Sequence, residues 1–295
     1  LHISTQANTT NWESALFWQE LGASRVVLAR ELSGAEIREI RANVSMELEC
    51  FVHGAMCVSY SGRCLMSAYM TGREANRGEC AQPCRWQYAL VEEKRPGEYF
   101  PVEEDGRGTY ILNSRDLCLI DHLPELRDAG VQSFKIEGRM KSVHYLATVV
   151  RTYRAALDLL RDNPANYTVS DEWRKELDKA ASRRYTTGFW EGVPGTEAQE
   201  YETVRVLPEW DYAALVLSWD PQRRCAGVEQ RNHLQLGDEI EVLRPGEEIF
   251  RQRLTKMTDI EGASLECAPH PKQRLWIQLD RPAGEYALIR RRRRS

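Results

Sequence analysis

Four cysteines within residues 57–84 are the side chains of this chain best suited to chemistry. Cys57, Cys64, Cys80 and Cys84 follow the spacing C-x6-C-x15-C-x3-C in a polar stretch that also contains glycine and arginine. Four thiolates can enclose a zinc ion or an iron-sulfur cluster. A four-cysteine zinc site usually has two C-x2-C pairs, which this chain lacks, so the spacing alone leaves both groups open.

Composition is that of a soluble globular protein. The chain has 295 residues, 42% of them apolar, which is enough for one large or two ordinary domains. It has no run of eighteen apolar residues, so we expect no membrane segment. Eight cysteines are too few for a disulfide scaffold, and their clustering favours metal binding in a reducing compartment, so we expect a cytoplasmic protein. The net charge of -4 does not by itself indicate nucleic-acid binding, and the arginines at 290–294 are interpreted as a solvated end.

The first half alternates short apolar strands with amphipathic helices, the pattern of β/α units around a parallel sheet. The predicted strands lie at 1–5, 24–29, 46–52 and 133–137, and the predicted helices at 11–21, from 33 onward, and at 116–128, 142–161 and 171–181. A hairpin is predicted from strands at 88–92 and 109–112. Four β/α units form half of a TIM-like (β/α)8 barrel, with an open four-stranded sheet as the alternative. Because a whole barrel takes about 250 residues, we expect further sequence before Leu1.

The pattern changes class after a linker-like stretch at 192–199. Short strands separated by turns are predicted at 213–217, 226–230, 239–243, 248–254, 264–267 and 276–279. Regularly spaced short strands predict a small all-β barrel. We therefore expect two domains, residues 1–195 and residues 196–295.

Polar residues fall where the predicted parallel strands end. In a β/α barrel the chemistry lies at these carboxyl ends, so we expect an active site there. Besides the cysteine segment, the residues concerned are Gln6, Asn8, Arg30, Glu31, His53, Glu137, Arg139 and Lys141.

The tract from Glu49 to Ser67 fits the pattern E-x-F-x2-G-[SA]-[LIVM]-C-x4-G-x-C-x-[LIVM]-S at all ten defined positions. This pattern resembles the signature of peptidase family U32, the collagenase-like peptidases. The segments GRCLMSAYMTGREANRGECAQPCRW, RPGEYF, NSRDL, KIEGRMKS and YTTGF resemble the branch of that family that hydroxylates the wobble uridine of certain tRNAs by using prephenate. The resemblance covers nearly the whole chain, including the terminal β-barrel.

The resemblance implies a β/α barrel, a small β-barrel and a 4Fe-4S cluster, with tRNA and prephenate as partners. The cluster ligands would correspond to Cys57, Cys64, Cys80 and Cys84. In some relatives the fourth ligand lies further downstream, near the position of Cys118. We prefer Cys84, because C-x3-C keeps two ligands on one short turn.

Several other residues are candidates for binding prephenate or for catalysis. Arg139 and Lys141 could hold the two carboxylates of prephenate, or be a solvated pair at a helix start. His53 could transfer a proton near the cluster, or be a hydrogen-bonded structural residue. Glu49 could be catalytic, or form an ion pair with Arg30. Gln6, Asn8, Arg30 and Glu137 are further candidates for substrate binding.

The cysteine segment also carries groups that could bind RNA. Arg73, Arg77 and Arg85 could contact phosphates, while Tyr69 and Trp86 could stack an extruded base. Arg223, Arg224 and the arginines at 290–294 are a second candidate contact.

A peptidase and a non-catalytic cluster-bearing module are the alternative functions. A cysteine peptidase needs one activated thiolate beside a histidine, and three further cysteines near Cys57 disfavour that chemistry. The six histidines never form the H-E-x-x-H pattern of metalloproteases.

Overall fold

The computed structural model describes residues 1–57, 59–86, 89–90, 100–101, 114–194, 198 and 209–294. The chain divides into two compact units. The first comprises residues 1–142, 153–171 and 182–206, and the second comprises residues 143–152, 172–181 and 207–295. The predicted boundary between residues 195 and 196 stays a prediction, because residues 195–197 and 199–208 lie outside the described part.

Six helices and eight strands precede residue 209 in the described part of the chain. The helices are α1 (Trp12–Glu20), α2 (Gly34–Asn43), α3 (Met66–Thr71), α4 (Leu123–Asp128), α5 (Val143–Asp162) and α6 (Asp171–Ala180). The strands are β1 (His2–Ile3), β2 (Arg25–Val27), β3 (Glu47–Ala55), β4 (Ala89–Leu90), β5 (Phe100–Pro101), β6 (Asp116–Cys118), β7 (Ser133–Ile136) and β8 (Tyr185–Thr186).

A mixed sheet forms the centre of the first unit. Strands β1, β2, β3 and β7 are parallel and are neighbours in that order. Strand β6 pairs antiparallel with the end of β3, and β8 pairs parallel with β6. Val26, Leu48 and Val52 of this sheet are fully buried. The predicted α/β class is confirmed, whereas a half barrel is not.

Local capping explains where the first two helices begin. The Asn11 side chain accepts a hydrogen bond from the Ser14 backbone N–H at 2.8 Å. At α2, Ser33 and Glu36 form the predicted capping box. Each pair satisfies backbone N–H groups that have no partner within the helix.

The prediction of one helix over residues 116–128 is wrong. Asp116–Cys118 is a strand that pairs with the end of β3, a 3-10 turn follows at Ile120–His122, and α4 begins only at Leu123. Proline at position 124 suits the first turn of a helix, which accounts for the late start. The strand predicted at 88–92 is present as Ala89–Leu90, but its described partner is Phe100–Pro101. The partner predicted for it, residues 109–112, lies outside the described part.

Helix α5 is present as predicted but buries a different face. The apolar stripe of Val143, Leu146 and Val150 is exposed, at 59%, 37% and 51%. The buried face instead includes Tyr145, Val149, Tyr153, Ala156 and Leu160. The helix thus has two apolar stripes, and the one with tyrosines packs inward. No helix in the described part of the chain has the length and apolar composition that crossing a membrane requires.

The second unit is built on antiparallel strands, as predicted. Its strands are β9 (Trp210–Asp220), β10 (Cys225–Gln230), β11 (Leu234–Gln235), β12 (Glu239–Leu243), β13 (Phe250–Arg253), β14 (Met257–Thr258), β15 (Cys267–Ala268), β16 (Arg274–Gln278) and β17 (Leu288–Arg292). Seven of them form a sheet in the order β13-β12-β17-β9-β10-β16-β14. Its core includes Val216, Val228, Ile240 and Leu275. Within the described residues, β13 and β14 are the two ends of this order, so closure into a barrel is not shown.

The interpretation of residues 290–294 as a solvated basic end is wrong for Arg290 and Arg291, which are buried, whereas the next three arginines are exposed. Most of these arginines lie on β17, which pairs with both β9 and β12. Arg290 is fully buried and donates to the carboxylates of Glu241 and Glu176. Arg294 is paired with Asp238. Acidic side chains on neighbouring elements therefore pair with the run, and the RNA contact predicted for it stays a prediction.

Candidate metal centre

A cavity of about 580 Å³ lies at the carboxyl ends of the parallel strands in the first unit. Gln6 follows β1, Arg30 follows β2, Cys57 follows β3 and Arg139 follows β7. All four residues line the cavity. The structure therefore brings together residues that are far apart in sequence, at the edge of the sheet where chemistry was expected.

The four cysteines of the motif line the same cavity. Cys84 is buried, and Cys57, Cys64 and Cys80 are partly exposed. Cys118 is not among the described lining residues. It lies on β6 opposite His53, and its Sγ is 3.7 Å from the hydroxyl of Tyr153. This placement favours Cys84 over Cys118 as the fourth ligand.

Two glycines of the matched pattern let the cavity walls approach closely. Gly54 has φ of +109°, and a Cβ there would lie 2.4 Å from the backbone oxygen of Glu137. Gly62 has φ of +77°, and a Cβ there would lie 2.1 Å from the backbone oxygen of Gln6. Any larger residue would push these segments away from the cysteines.

Ser67 joins the two halves of the cysteine motif. Its fully buried hydroxyl accepts a hydrogen bond from the Ala81 backbone N–H at 3.0 Å. Ala81 directly follows Cys80, and α3, which carries Ser67, begins two residues after Cys64. The hydrogen bond therefore fixes the second cysteine pair relative to the first.

Backbone N–H groups point at two of the four sulfur atoms. The Gln82 N–H donates to Cys80 Sγ at 3.3 Å, and the Ser59 N–H donates to Cys57. Burial raises the pKa of Cys57, while the Ser59 bond and the charge of Arg30 act in the opposite direction. Hydrogen bonds to sulfur are one means by which proteins set the potential of an iron-sulfur cluster.

Four thiols are donors that both a zinc ion and an iron-sulfur cluster take as ligands. Among the described residues, no three His, Cys, Asp or Glu side chains are placed to share one metal ion. Four thiols nevertheless border one cavity. A polynuclear cluster spans more space than one ion and takes cysteine thiolates as ligands. Cys57, Cys64, Cys80 and Cys84 could thus hold a cluster between them.

Four cationic residues and the carboxylate of Glu137 line the cavity; the cations are Arg30, Arg77, Lys135 and Arg139. The guanidinium of Arg30 is 3.7 Å from the ring centroid of Phe51, and Lys135 Nζ is 5.5 Å from the same centroid. Two cations beside one aromatic ring suit a small molecule that carries carboxylates.

Glu137 lines the cavity, where it fixes backbone. Its two oxygens accept hydrogen bonds from the N–H groups of Arg139, at 2.9 Å, and Ala55, at 3.3 Å. Glu137 therefore links the end of β3 to the segment after β7. In the same way, Glu31 accepts from the Ser61 N–H at 3.0 Å and ties the segment after β2 to the cysteine loop.

Glu49 lies outside the described cavity lining, and its predicted partner Arg30 is wrong. Glu49 instead accepts from the Ser133 hydroxyl at 2.8 Å and pairs with Lys135 at 3.2 Å and Arg25 at 3.4 Å. Burial raises the pKa of Glu49, but these three contacts outweigh it and hold that pKa below its usual value. The carboxylate thus links β2, β3 and β7 as an ion-pair partner.

His53 is fully buried and does not line the cavity. Its Nδ1 is 3.3 Å from the Tyr153 hydroxyl, and its ring packs against Tyr153 and Tyr185. Burial lowers the pKa of His53 to about 3, so the ring is neutral at neutral pH. This position supports a structural role, and the predicted catalytic role gains nothing from it.

Two predicted substrate-binding residues are not brought to the cavity. Lys141 donates to Asp116 at 2.7 Å and to Ser182 at 2.9 Å, and these contacts hold it elsewhere in the unit. Asn8 ends the 3-10 turn after β1 and is also outside the lining. The expected pair of Arg139 and Lys141 around one substrate is therefore not formed.

Sequence reasoning missed Phe51 and Lys135 as cavity residues. The two are direct neighbours in the parallel pairing of β3 with β7. Lys135 precedes Glu137 by two residues, and side chains of a strand alternate between the faces of a sheet. That alternation was the signal that could have placed Lys135 on the same side as Glu137.

Two family models match the chain. Peptidase family U32 matches residues 1–200, and the peptidase family U32 C-terminal domain matches residues 208–290. The tRNA hydroxylation protein P1 of Bacillus subtilis is 42% identical over 95% of this chain and 66% of its own length. The tRNA hydroxylation protein P of Escherichia coli is 35% identical over 99% of this chain and 72% of its own length.

A third relative, named an uncharacterized protease of Methanocaldococcus jannaschii, is 45% identical over 89% of this chain and 66% of its own length. The chain thus spans roughly two thirds of the length of these three relatives. The first family model includes all the cavity residues, and both models together cover most of the sequence. The chain belongs to peptidase family U32.

Proposed function

We propose that this chain is the cluster-binding part of a cytoplasmic enzyme that hydroxylates C5 of the wobble uridine in tRNA, with prephenate as co-substrate. The observation that carries the proposal is that four cysteines and four cationic residues line one cavity at the carboxyl ends of the strands. Two relatives named as tRNA hydroxylation proteins support the reaction class. Reduced thiolates suit the cytoplasm.

Cys57, Cys64, Cys80 and Cys84 would hold a 4Fe-4S cluster. When bound, such a cluster supplies one-electron chemistry. The chain's own contribution is to fix the four thiols, through Ser67 and the glycines at 54 and 62, and to direct N–H groups at two sulfurs.

The cationic residues would bind and orient prephenate. Arg30 offers a planar fork for one carboxylate and lies on the ring of Phe51. Lys135, which also pairs with Glu49 at 3.2 Å, adds positive charge near the same ring. These residues replace Lys141 in the predicted role. Arg139 is exposed at the cavity and would meet the RNA backbone.

We also propose that β1, β2, β3 and β7 are part of a (β/α)8 barrel. These strands are parallel neighbours in chain order, and the cavity opens at their carboxyl ends. Both features are those of a barrel in which loops after the strands carry the chemistry.

A peptidase is the second candidate, because one relative carries the name of a protease. A cysteine nucleophile needs a histidine within hydrogen-bond reach. No histidine is among the described residues that line the cavity, and His53 is buried against tyrosines. The geometry therefore supports hydroxylation better.

Two measurements on the same variants test the proposal. In cells that lack the gene, we expect the wild type to restore hydroxyuridine in tRNA, measured by nucleoside mass spectrometry, and the Cys80→Ser variant to fail. Anaerobically purified wild type should be brown and contain about four irons per chain. Cys225→Ser is the matched control, since Cys225 lies buried in the second unit.

Other outcomes favour the alternatives. A colourless protein with one zinc would contradict the cluster. Unchanged hydroxyuridine, together with lost cleavage of gelatin, would favour the peptidase. If the purified protein contains iron but deletion of the gene changes neither hydroxyuridine nor gelatin cleavage, the protein would be a non-catalytic binding module.

A further inference from the structure

Exposed aromatic and apolar side chains gather on the segment that carries the cysteines. Tyr69 is 89% exposed and Trp86 is 45% exposed. Tyr60, Leu65 and Met70 of the same segment are also exposed. Helix α3 contacts the 3-10 turn Pro83–Arg85 that precedes Trp86, and exposed apolar groups that adjoin on a protein surface usually mark an interaction site.

Short ordered elements hold the two aromatic residues. Tyr69 lies on α3, which the hydrogen bond from Ala81 to Ser67 ties to the turn between Cys80 and Cys84. Trp86 directly follows the 3-10 turn Pro83–Arg85, and its backbone N–H donates to the Pro83 oxygen at 2.9 Å. Hydrogen bonds within the cysteine motif therefore hold the backbone at both aromatic positions.

The same segment is positively charged in an acidic chain. Residues 59–86 contain four arginines and two glutamates, whereas the whole chain has a formal charge of -4. Arg77 lines the cavity, and 77% of its side chain is exposed although it pairs with Glu74 at 2.7 Å. Arg63 is exposed as well. The side chain of Arg85 lies outside the described part.

We propose that Tyr69 and Trp86 form an aromatic platform on which unpaired RNA bases beside the target nucleotide stack, while Arg77 and Arg63 contact the phosphates. The inference rests on the proposed function, because it takes tRNA as the substrate. Exposed aromatics can stack only on bases that have left a helix, so the platform fits a single-stranded loop rather than a duplex. The arginines supply the charge that a phosphate backbone needs.

The test measures RNA affinity without any catalytic step. The iron-loaded protein is titrated by fluorescence anisotropy against an anticodon stem-loop and against a duplex of the same length. We expect Tyr69→Ala and Trp86→Ala each to weaken stem-loop binding by about tenfold or more, and Tyr69→Phe to keep most of it. Tyr286→Ala is the matched control, because Tyr286 is a 68% exposed tyrosine of the second unit.

Salt dependence tests the arginines separately. Arg77→Gln should reduce the slope of log affinity against log salt by about 0.7, the value for one lost phosphate contact on a single strand. Iron content and circular dichroism of each variant establish that the fold and the cluster are intact.

Several outcomes overturn the inference without touching the proposed function. Unchanged stem-loop affinity in both alanine variants would overturn the inference. If those variants also lost hydroxylation, the surface would instead serve a protein partner or a later step of the reaction. An equal loss for stem-loop and duplex would also contradict stacking on unpaired bases. If instead the alanine variants lose affinity while the wild type makes no hydroxyuridine, the platform stands and the proposed reaction fails.

Discussion

At the scale of single residues, Cys84 and Cys118 are the two candidates for the fourth cluster ligand. Cys84 is buried and lines the cavity, four residues after Cys80. Cys118 pairs across strands with His53 and contacts the Tyr153 hydroxyl. Of the two, Cys84 is the one among the described residues that line the cavity with the other three cysteines.

The two cysteines therefore predict different outcomes on substitution. Cys84→Ser should lower the iron content and the visible absorption of anaerobically purified protein to a small fraction of wild type, because a cluster needs its fourth thiolate. Cys118→Ser should keep both near wild type and serves as the control. The reverse pattern, with iron lost only in Cys118→Ser, would move the fourth ligand to β6.

The sequence predicted which residues could be cluster ligands, but not which residues form ion pairs and hydrogen bonds with one another. The cysteine motif is local, so its spacing already places four thiols near one another. The partner of Glu49 depends on the pairing of β3 with β2 and β7, which sets Arg25, Ser133 and Lys135 beside it. The register between strands that are far apart in sequence cannot be predicted from a short stretch of residues.

At the scale of elements, close backbone approach shapes the wall of the cavity. Gly62 and Gly72 have similar positive φ angles of +77° and +69°. A Cβ at Gly62 would collide with the backbone of Gln6, whereas a Cβ at Gly72 would meet nothing within 4 Å. A comparison of alanine substitutions at the two positions therefore distinguishes the cost of a steric clash from the cost of a left-handed backbone alone.

Alanine substitutions at these glycines should differ in cost. Gly72→Ala should reduce the free energy of unfolding by about 1–2 kcal/mol, the cost of a left-handed residue with a Cβ. Gly62→Ala should cost about 3 kcal/mol or more, because overpacking adds to that strain, and it should also lower iron content. Urea unfolding and iron analysis of both variants check this. Equal costs in the two variants would mean that the contact with Gln6 is not tight.

Elements with strong local signals were predictable, and short ones were not. The capping box of α2 and the long apolar pattern of α5 identified both helices. Strands β6, β8 and β14 contain only two or three residues each, and their pairing partners stabilise them rather than their own composition. The buried stripe of α5 was mispredicted, because the choice between its two apolar stripes depends on what packs against them.

At the scale of the whole molecule, a charged network is buried in the second unit. Arg290 lies between Glu241 and Glu176, and Lys179 also pairs with both carboxylates. His144, on the first turn of α5, is buried near this network and stacks on Tyr212 with ring centroids 6.3 Å apart. A run of five basic residues in a sequence gives no hint that matching acids lie on distant elements, so the network could not be predicted.

Acidification should destabilise the second unit through His144. Burial lowers the pKa of His144 to about 4, with Arg290 and Lys179 acting in the same direction and Glu176 and Glu241 opposing them. Because the folded pKa lies below the unfolded value of about 6.5, the unfolded chain binds the proton first. The stability that the neutral ring gives is therefore complete above the unfolded pKa of about 6.5 and is lost as the pH falls toward 4.

The loss attributable to His144 should be about 2 kcal/mol between pH 7 and pH 5. Calorimetry over this pH range should show that the midpoint temperature of unfolding of the second unit falls as the pH is lowered. In the His144→Gln variant the same transition should depend less on pH, although its midpoint at pH 7 should be lower because the stacking on Tyr212 is lost. Carboxylates titrate mainly below this range, so they do not obscure the difference. An unaltered pH dependence in the variant would show that His144 is accessible to protons in the folded state.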